Sequence, residues 1–562
     1  MQAIIECVPN FSEGRNPAVI REITREIEKV EGVKLLDIDP GKATNRTVVT
    51  FVGAPDVVIE AAFQAVKKAA EVIDMSQHSG EHPRMGATDV CPLIPISGIT
   101  MEETAKWAHQ LAKRVGEELD IPAYMYESAA TSPERKNLAS VRSGEYEGLV
   151  KKLANPKWKP DYGPAKFNKR AGATAFGARG FLVAYNVNIN TTSVRRANSI
   201  AFDIREKGRI KREGNPVTGK IKRDKEGNAL RTPGSCPSVK AIGWYIEEYG
   251  IAQISMNLTD IKVTSLHKAF EECRKSAQKR GMRVTGSELV GLVPLQVMLD
   301  AGKYFLRQQQ RSTGIAEEEI IKIAVKSLGL DELSPFDPSQ KIIEYQLKEE
   351  DVRPLIKMDL KAFANETASE SMAPGGGSIS AYLGTLGVSL ATMVANISAH
   401  KRGWDDRWQE FSDWAEKGQK IKDKLLWLVD EDTASFNGIM NAFRLPKGSE
   451  EEKVARNKAI QAATKYAIEI PFQAMETIYE SLELIEKMVE LGNPNSITDA
   501  GVGALCARAG IHGAFMNVKI NSADLKDKTF VNEIVTKAQN IADQADAFEQ
   551  RIMQKVNKKI EG

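Results

Sequence analysis

Two of the chain's six histidines, His78 and His82, stand four residues apart in Gln77–Pro95 (QHSGEHPRMGATDVCPLIP), with Glu81 between them and Arg84 and Asp89 close behind. Two chemistries suit this set. His-x-x-Glu-His is the inverted zinc-protease spacing, which would make a metal-dependent hydrolase on His78 and His82. That motif needs both imidazoles on one helical face. Gly80 lies inside it and Pro83 directly follows His82, and a residue before proline is pushed out of the helical region. The other chemistry is proton transfer by a loop imidazole. A neighbouring Glu or Asp would fix its tautomer and raise its pKa. A loop histidine that only hydrogen-bonds backbone is the plain alternative.

A second candidate set lies far along the chain, in Leu428-Val429-Asp430-Glu431-Asp432 and in Pro374-Gly375-Gly376-Gly377-Ser378. Helical spacing puts Leu425, Leu428, Val429, Asp432, Phe436, Ile439 and Phe443 on one stripe, so Asp432 is expected to face inward and Asp430 to turn away. A buried carboxylate has a raised pKa and can hold a proton for delivery. The alternative is an aspartate satisfied by a neighbouring helix, and Asp430 stays a candidate acid beside Asp432. The glycine run before a helix could offer free backbone N–H groups to an anion, or serve as a plain helix start. It lacks the lysine of a nucleotide loop, which argues against ATP.

The elements that must position these groups fall into two kinds. Ala3–Val8, Val33–Asp39 and Thr47–Val52 read as strands, alternating with helices Pro17–Val30, Val57–Ile73 and Met101–Leu119. That alternation predicts α/β layers, of the α+β, mixed-sheet kind. Asp39, Asn45 and Arg46 fall at strand ends and the turn between them, where polar site residues gather. Phe181–Asn190 sets Asn186, Asn188 and Asn190 against Val187 and Ile189. Ala252–Asp260 sets Gln253, Ser255, Asn257 and Thr259 against Ile254, Met256 and Leu258. Period-two alternation buries one face, and uncharged amides and hydroxyls on the other suit an enclosed polar cleft between two sheets. The basic stretch from Gly208 to Ser238 reads as a solvated hairpin, or as a landing site for acidic tails. Charge reversal at Lys220, Lys222 and Arg223 separates the two.

Glu332–Gln340 reads as an interdomain linker. Beyond it Met358–Ser369, Ile379–Ile397, Trp408–Ala434 and onward, Glu452–Glu490, Ser496–Ala509 and Asn532–Lys555 read as helices of an all-α bundle, with Pro471 expected to kink or split the fourth. The division that follows is 1–180 and 181–328 for two α/β subdomains, 329–345 for a linker and 346–562 for the helical domain. At 562 residues the length asks for several cores. A net charge of +2 excludes global steering of nucleic acid or membrane, and five scattered cysteines fit no disulfide framework or zinc site. The N-terminus lacks the pattern of a signal peptide, so a cytoplasmic protein is expected. Ser371–His400 has no charged side chain and could cross a bilayer by length, but five glycines dilute it and a buried bundle helix is the better reading.

The segment around His82 meets the pattern HxGEHPRMGAxDVCPxIP of the glutamate formimidoyltransferase family at every specified position, and the chain resembles that family in other blocks. Ile4-Ile5-Glu6-Cys7-Val8-Pro9-Asn10-Phe11-Ser12-Glu13-Gly14 is one, and Thr44-Asn45-Arg46-Thr47-Val48 another. A third is Gly163-Pro164-Ala165-Lys166-Phe167-Asn168-Lys169-Arg170-Ala171-Gly172, followed by Gly177-Ala178-Arg179, where the resemblance places folate contacts. Glycines there would let backbone approach a flat ring, and lysine and arginine suit a glutamate tail. The helical part resembles the formimidoyltetrahydrofolate cyclodeaminase family through Ala373–Ser378, Leu428–Asp432 and Thr498-Asp499-Ala500-Gly501-Val502-Gly503, although Ser371-Met372 stands where a Thr-Pro-like pair is common.

The resemblance implies His82 as the catalytic acid/base of formimidoyl transfer. It implies an aspartate of the LVDxD element for ring closure. Asn10, Asp39, Asn45, Arg46, Arg84, Arg179, residues 163–172 and Gly375–Ser378 are then candidates for holding substrates. It also implies tetrahydrofolate as co-substrate, possible polyglutamylation of it, no metal, small-molecule partners, and a homo-oligomer. The rival readings are the metal-dependent hydrolase, a non-catalytic folate-binding or scaffold protein, and a transferase whose helical domain is inactive.

Overall fold

The computed structural model describes residues 3–42, 44–80, 82–215, 218–347 and 353–561. Glu81 of the histidine motif lies outside them. The chain divides into two compact units, Met1–Ala301 with Ala324–Leu347, and Gly302–Ile323 with Lys348–Gly562.

The first unit is built on two sheets. Strands Ile4–Cys7, Asn10–Phe11, Val33–Gly41, Arg46–Gly53, Thr88–Ser97, Ala123–Glu127 and Thr174–Ala178 form a seven-stranded mixed sheet, antiparallel except where Thr174–Ala178 lies parallel to both Thr88–Ser97 and Ala123–Glu127. Helices Pro17–Glu28, Pro55–Val72 and Met101–Glu118 bury one face of it. Each start is written in the sequence: proline opens the first two, and Thr100 with Glu103 forms a capping box at the third. Ile5 and Cys7 point into that core and are fully buried. Glu6, Val8 and Asn10 alternate to the opposite face.

The second sheet runs Val239–Ile246, Ile251–Leu258, Val183–Ile189, Val284–Val290 in spatial order, all antiparallel. Helix Val194–Ile204 packs on Val239–Ile246 and Ile251–Leu258, with Leu266–Gln278 beside it. Asn186, Gln253, Ser255 and Asn257 line a cavity of about 400 Å³ together with residues of the first sheet. The polar cleft read from the alternation is therefore present. Of the three alternating asparagines only Asn186 reaches it. Asn188 is buried, accepting from Gln253 Nε2 at 2.8 Å and donating to Glu332 at 2.6 Å, and Asn190 accepts the Arg283 N–H at 2.7 Å.

The basic insertion folds as a hairpin, Arg209–Ile210 against Arg231–Thr232, with further bridges Arg212↔Ile221 and Arg223↔Ala229 and mostly exposed side chains. The stretch around 332–340 carries short helices Pro338–Lys341 and Ile343–Leu347 and is packed within the first unit, where Ile342 bridges to Val293.

The second unit is helical. Gly376–Ala399, Trp408–Phe443, Glu450–Leu491, Ile497–Asn521 and Lys528–Glu561 surround one core. Gly376–Ala399 is apolar enough to span a membrane, with mean hydropathy 1.4, but 61% of that window is buried among its neighbours, the position expected of a bundle's central helix. Glycines bring these helices close. A Cβ at Gly387 would meet the Gly503 carbonyl at 2.8 Å, and one at Gly510 the Ser380 carbonyl at 2.8 Å.

The structure narrows one sequence expectation, that Pro471 kinks or splits its helix, and corrects two others, the length of the inward stripe and the direction of Asp430. Pro471 does not split its helix, which runs unbroken from Glu450 to Leu491. Proline deprives the carbonyl four residues earlier, Ala467, of its helical donor, and the Asn521 side-chain amide supplies one at 2.7 Å. The inward stripe on Trp408–Phe443 also ends early. Leu425, Leu428 and Val429 are buried, whereas Phe436 and Phe443 are 38% and 50% exposed. Asp430 is not turned to solvent: its carboxylate accepts the backbone N–H groups of Leu355 (2.9 Å) and Ile356 (3.1 Å), a segment that covers its side of the helix.

Candidate functional sites

In the first unit the turn before Thr88–Ser97 presents His82 to the cleft. Residues 78–80 and 82–87 are not helical, so the two histidines do not share a helical face as the zinc-protease spacing requires. The two histidines have different surroundings. His78 is enclosed by its own chain, Nε2 lying 2.9 Å from the Asn45 carbonyl and Nδ1 accepting from Arg84 Nε at 3.2 Å. Both of its ring nitrogens are occupied by protein groups. Among the described residues His82 is bonded only through Nδ1, which leaves Nε2 for a ligand.

Nδ1 of His82 stands between the Arg46 guanidinium at 2.9 Å and the Pro83 carbonyl at 2.7 Å. When it carries the proton it donates to the carbonyl; when bare it accepts from arginine. Either tautomer therefore has a partner on that side, and Nε2 is correspondingly a base or a donor. The expected carboxylate neighbour is one step removed. Arg46 binds Asp89 at 2.6 Å, Asp89 also pairs with Arg142 at 2.9 Å, and its other oxygen accepts the Met85 N–H at 3.0 Å. Burial would raise Asp89, but Arg142 and Arg46 outweigh it and hold the carboxyl below its ordinary value. The consequence for His82 reverses the expectation. Burial first, then the charges of Arg46 and Arg142, push its pKa down from 6.5 to about 3. The imidazole is neutral throughout the physiological range.

The sequence candidates separate clearly. Asn10, Asp39, Arg46, His82 and Arg179 all line the cleft. Arg46 is held by the Asn10 side-chain oxygen (Nε at 2.9 Å) as well as by Asp89, so its reach is spent on orienting the imidazole. Asp39 accepts the Gly291 N–H at 2.7 Å and so ties the first sheet to the end of the second. Asn45 braces the turn from outside the cleft, accepting the Gly14 N–H at 3.0 Å and donating to the Ser79 carbonyl at 2.9 Å. Arg84 faces away and pairs with Glu147 at 2.6 Å and Glu145 at 3.3 Å.

The segment Gly163–Gly172 does not line this cavity. Its last residues pack against the chain just after His82 instead. Gly172, at φ +69°, lies where a Cβ would collide with the Met85 carbonyl, and Ala171 accepts the Ala87 N–H at 2.9 Å. The carbonyl of Lys169 is bound by the Tyr146 hydroxyl at 2.6 Å.

Several cleft residues escaped the sequence reading: Glu6, Tyr126, Arg142, Trp244, Tyr249 and Glu288. The signal for Glu6 was available, since an acid between Ile5 and Cys7 in an alternating strand must face opposite to the core. Arg142 carried no such pattern. It caps the end of a short helix, Leu138–Val141, and its importance comes from its partner, Asp89. Glu288 is fixed by Asn186 Nδ2 (3.1 Å), Gln253 Nε2 (3.4 Å) and the Tyr249 hydroxyl (3.3 Å).

In the second unit Asp432 meets the glycine turn. Gly375 caps Gly376–Ala399 without any side-chain hydrogen bond of its own. Asp432 supplies one from the neighbouring helix: its Oδ2 accepts from Ser378 Oγ at 3.2 Å, and the Ser378 backbone N–H also reaches the carboxylate. Gly377 passes so close to this carboxylate that any side chain would strike it. Burial raises the Asp432 pKa, and the two Ser378 hydrogen bonds only partly offset that rise. A carboxyl near a helix N-terminus with an elevated proton affinity can donate a proton to a leaving group. Asp430, by contrast, has both oxygens committed to backbone.

The comparisons with known proteins follow the same division. The chain matches the family model of the formiminotransferase domain, N-terminal subdomain, over residues 4–179, that of the formiminotransferase domain over residues 184–348, and that of formiminotransferase-cyclodeaminase over residues 359–540. It is 41% identical over 531 residues to the formimidoyltransferase-cyclodeaminase of Mus musculus, covering 94% of each chain. With the protein of the same name from Gallus gallus it is 41% identical over 560 residues, 99% of each chain. The glutamate formimidoyltransferase of Streptococcus pyogenes serotype M1 is 44% identical over 307 residues, which is 55% of this chain and 94% of that one. The chain belongs to the formimidoyltransferase-cyclodeaminase family.

Proposed function

We propose that the two reactions of this family are divided between the units, transfer in the cleft of the first and ring closure at the glycine turn of the second. The enzyme transfers the formimidoyl group from N-formimidoyl-L-glutamate to N5 of tetrahydrofolate with release of glutamate. It then cyclises 5-formimidoyltetrahydrofolate to 5,10-methenyltetrahydrofolate with release of ammonia. The neutral imidazole of His82, with Nε2 unbonded among the described residues and Nδ1 satisfied in either tautomer, is the observation that carries the transfer reading.

N5 attacks the amidine carbon and becomes an ammonium, which is acidic enough to yield its proton to a weak base. His82 takes that proton at Nε2. An imidazolium held beside Arg46 is in turn a strong acid, and it protonates the departing glutamate nitrogen as the tetrahedral intermediate collapses. Lys42 and Arg179 line the same cleft and suit substrate carboxylates. Ring closure is intramolecular, N10 attacking a carbon already tethered to N5, so positioning does much of the work. Asp432 delivers the proton that ammonia needs to leave.

Neither step requires a Lewis acid, since an amidine carbon is electrophilic as it stands. The test is methenyl-folate absorbance from formimidoylglutamate and tetrahydrofolate, with and without chelator. The signal should grow equally in both. Loss of it under chelation would favour the metal reading of His78 and His82.

A cytoplasmic homo-oligomer completes the proposal. Leu386, Met393 and Ile397 fall on one helix face and Val502, Leu505, Met516 and Ile520 on another, each at least 37% exposed, and such stripes suit burial against further copies. A solution mass of one chain, 61.9 kDa, would contradict it.

A further inference from the structure

Glu6 sits in a strand paired on both sides, opposite Val52 and Ile94, so its backbone has no freedom to swing. It is 4% exposed, and its side chain lines the transferase cavity. Two other carboxylates that line the cleft are held by donors of the chain, Asp39 by Gly291 and Glu288 by Asn186, Gln253 and Tyr249, while Glu248 is exposed to solvent. Among the described residues no donor hydrogen-bonds the Glu6 carboxylate. Arg179 attracts it without a bond, and Glu344 repels it. A buried acid without a donor is a costly thing to keep. Two acceptor oxygens aimed into a cavity call for a ligand edge carrying two N–H groups side by side.

The substrates offer two such edges. One is the amidine of the formimidoyl donor; the other is the aminopyrimidine of the pterin, with its 2-amino group and N3–H. Position decides between them. Asn10 bonds Arg46, which bonds His82, and Glu6 lies four residues back along the chain from Asn10, roughly 13 Å at extended spacing. The amidine carbon must be within reach of His82, so its N–H groups belong to that end of the cleft. The pterin's far edge is separated from N5 by the width of its fused ring. We propose that the Glu6 carboxylate holds the aminopyrimidine edge of tetrahydrofolate and thereby sets N5 against the amidine carbon. This rests on the cleft being the transferase site.

Glu6→Gln keeps the shape but replaces one acceptor with a donor. The KM for tetrahydrofolate should rise about tenfold or more and kcat should fall as N5 loses its alignment, with the KM for formimidoylglutamate little changed. A tetrahydrofolate analogue lacking the 2-amino group requires no variant. It should bind the unaltered enzyme about as weakly as tetrahydrofolate binds the variant, and lose nothing further on the variant. Burial lifts the Glu6 pKa to about 7 against the pull of Arg179, so the wild-type KM for tetrahydrofolate should climb as pH falls below that value and the variant's should not.

An unchanged tetrahydrofolate KM in Glu6→Gln overturns the assignment, as does a loss confined to the formimidoylglutamate KM, which would place the amidine there. His82→Ala run alongside separates the levels. If it is inactive while Glu6→Gln binds normally, only the Glu6 assignment falls; if it transfers normally, the cleft reading falls with it.

Discussion

His82→Ala is expected to lower kcat for formimidoyl transfer by roughly two to four orders of magnitude, the range for loss of a positioned proton-transfer group. Its effect on substrate KM values should be small, because Arg46 remains bound to Asp89 and Asn10 and the cleft walls keep their shape. Ring closure of added 5-formimidoyltetrahydrofolate should be untouched. The pH dependence is the more diagnostic part. An ordinary histidine loses its base form as pH falls through 6.5, but burial and the Arg46 and Arg142 charges move this one to about 3. At saturating substrate, kcat for transfer should therefore stay level from pH 8 down to pH 5. A fall of kcat centred near 6.5 would mean that the imidazole titrates freely and that its arginine neighbours do not govern it.

Asp432→Asn is expected to abolish ring closure while transfer proceeds, so that 5-formimidoyltetrahydrofolate accumulates. Asparagine preserves the contact with Ser378 but has no proton to give. The sign of the pH effect follows from burial. Because the pKa is raised, the acid form persists above the ordinary carboxylate range, and kcat for closure should fall as pH rises through that elevated value. Asp430→Asn should behave differently. Its oxygens accept two backbone N–H groups, so the loss is one of stability, about 1–3 kcal/mol, with closure retained in whatever remains folded. If Asp430→Asn removes closure and Asp432→Asn does not, the roles are exchanged.

The strands, the helices and the polar cleft could be read from the chain because each depends on local rules. Alternation in Ala252–Asp260 is visible without knowing what the strand faces, and Pro17 or Thr100 marks a helix start wherever the helix lies. What escaped depends on partners distant in sequence. The carbonyl freed by Pro471 is rescued from Asn521, and the environment of His82 is decided by Arg46 and Arg142. Asp430 looked idle on a helical projection because the covering segment at 355–356 is invisible in a one-helix argument. The stripe did place Asp432 facing inward, but it gives out beyond that residue, at Phe436. What fits Asp432 for its chemistry is the Ser378 contact. The glycine-rich segment Gly163–Gly172 shows how composition leaves a second use of glycine unseen. Its composition suits a ligand, and Gly172 in addition lets the backbone pass close to Met85 and Gly86, just after His82, while Gly163 does the same against Gly116 and Ile121.

The central claim is that one proton carrier in each unit serves one reaction. The most direct measurement mixes two variants, each crippled in one unit. His82→Ala alone and Asp432→Asn alone should each fail to produce methenyl-folate absorbance from formimidoylglutamate and tetrahydrofolate. Mixed, they should produce it, because the intermediate released by one is the substrate of the other. A mixture that stays silent while each variant is folded, or either variant completing both steps by itself, would contradict the division.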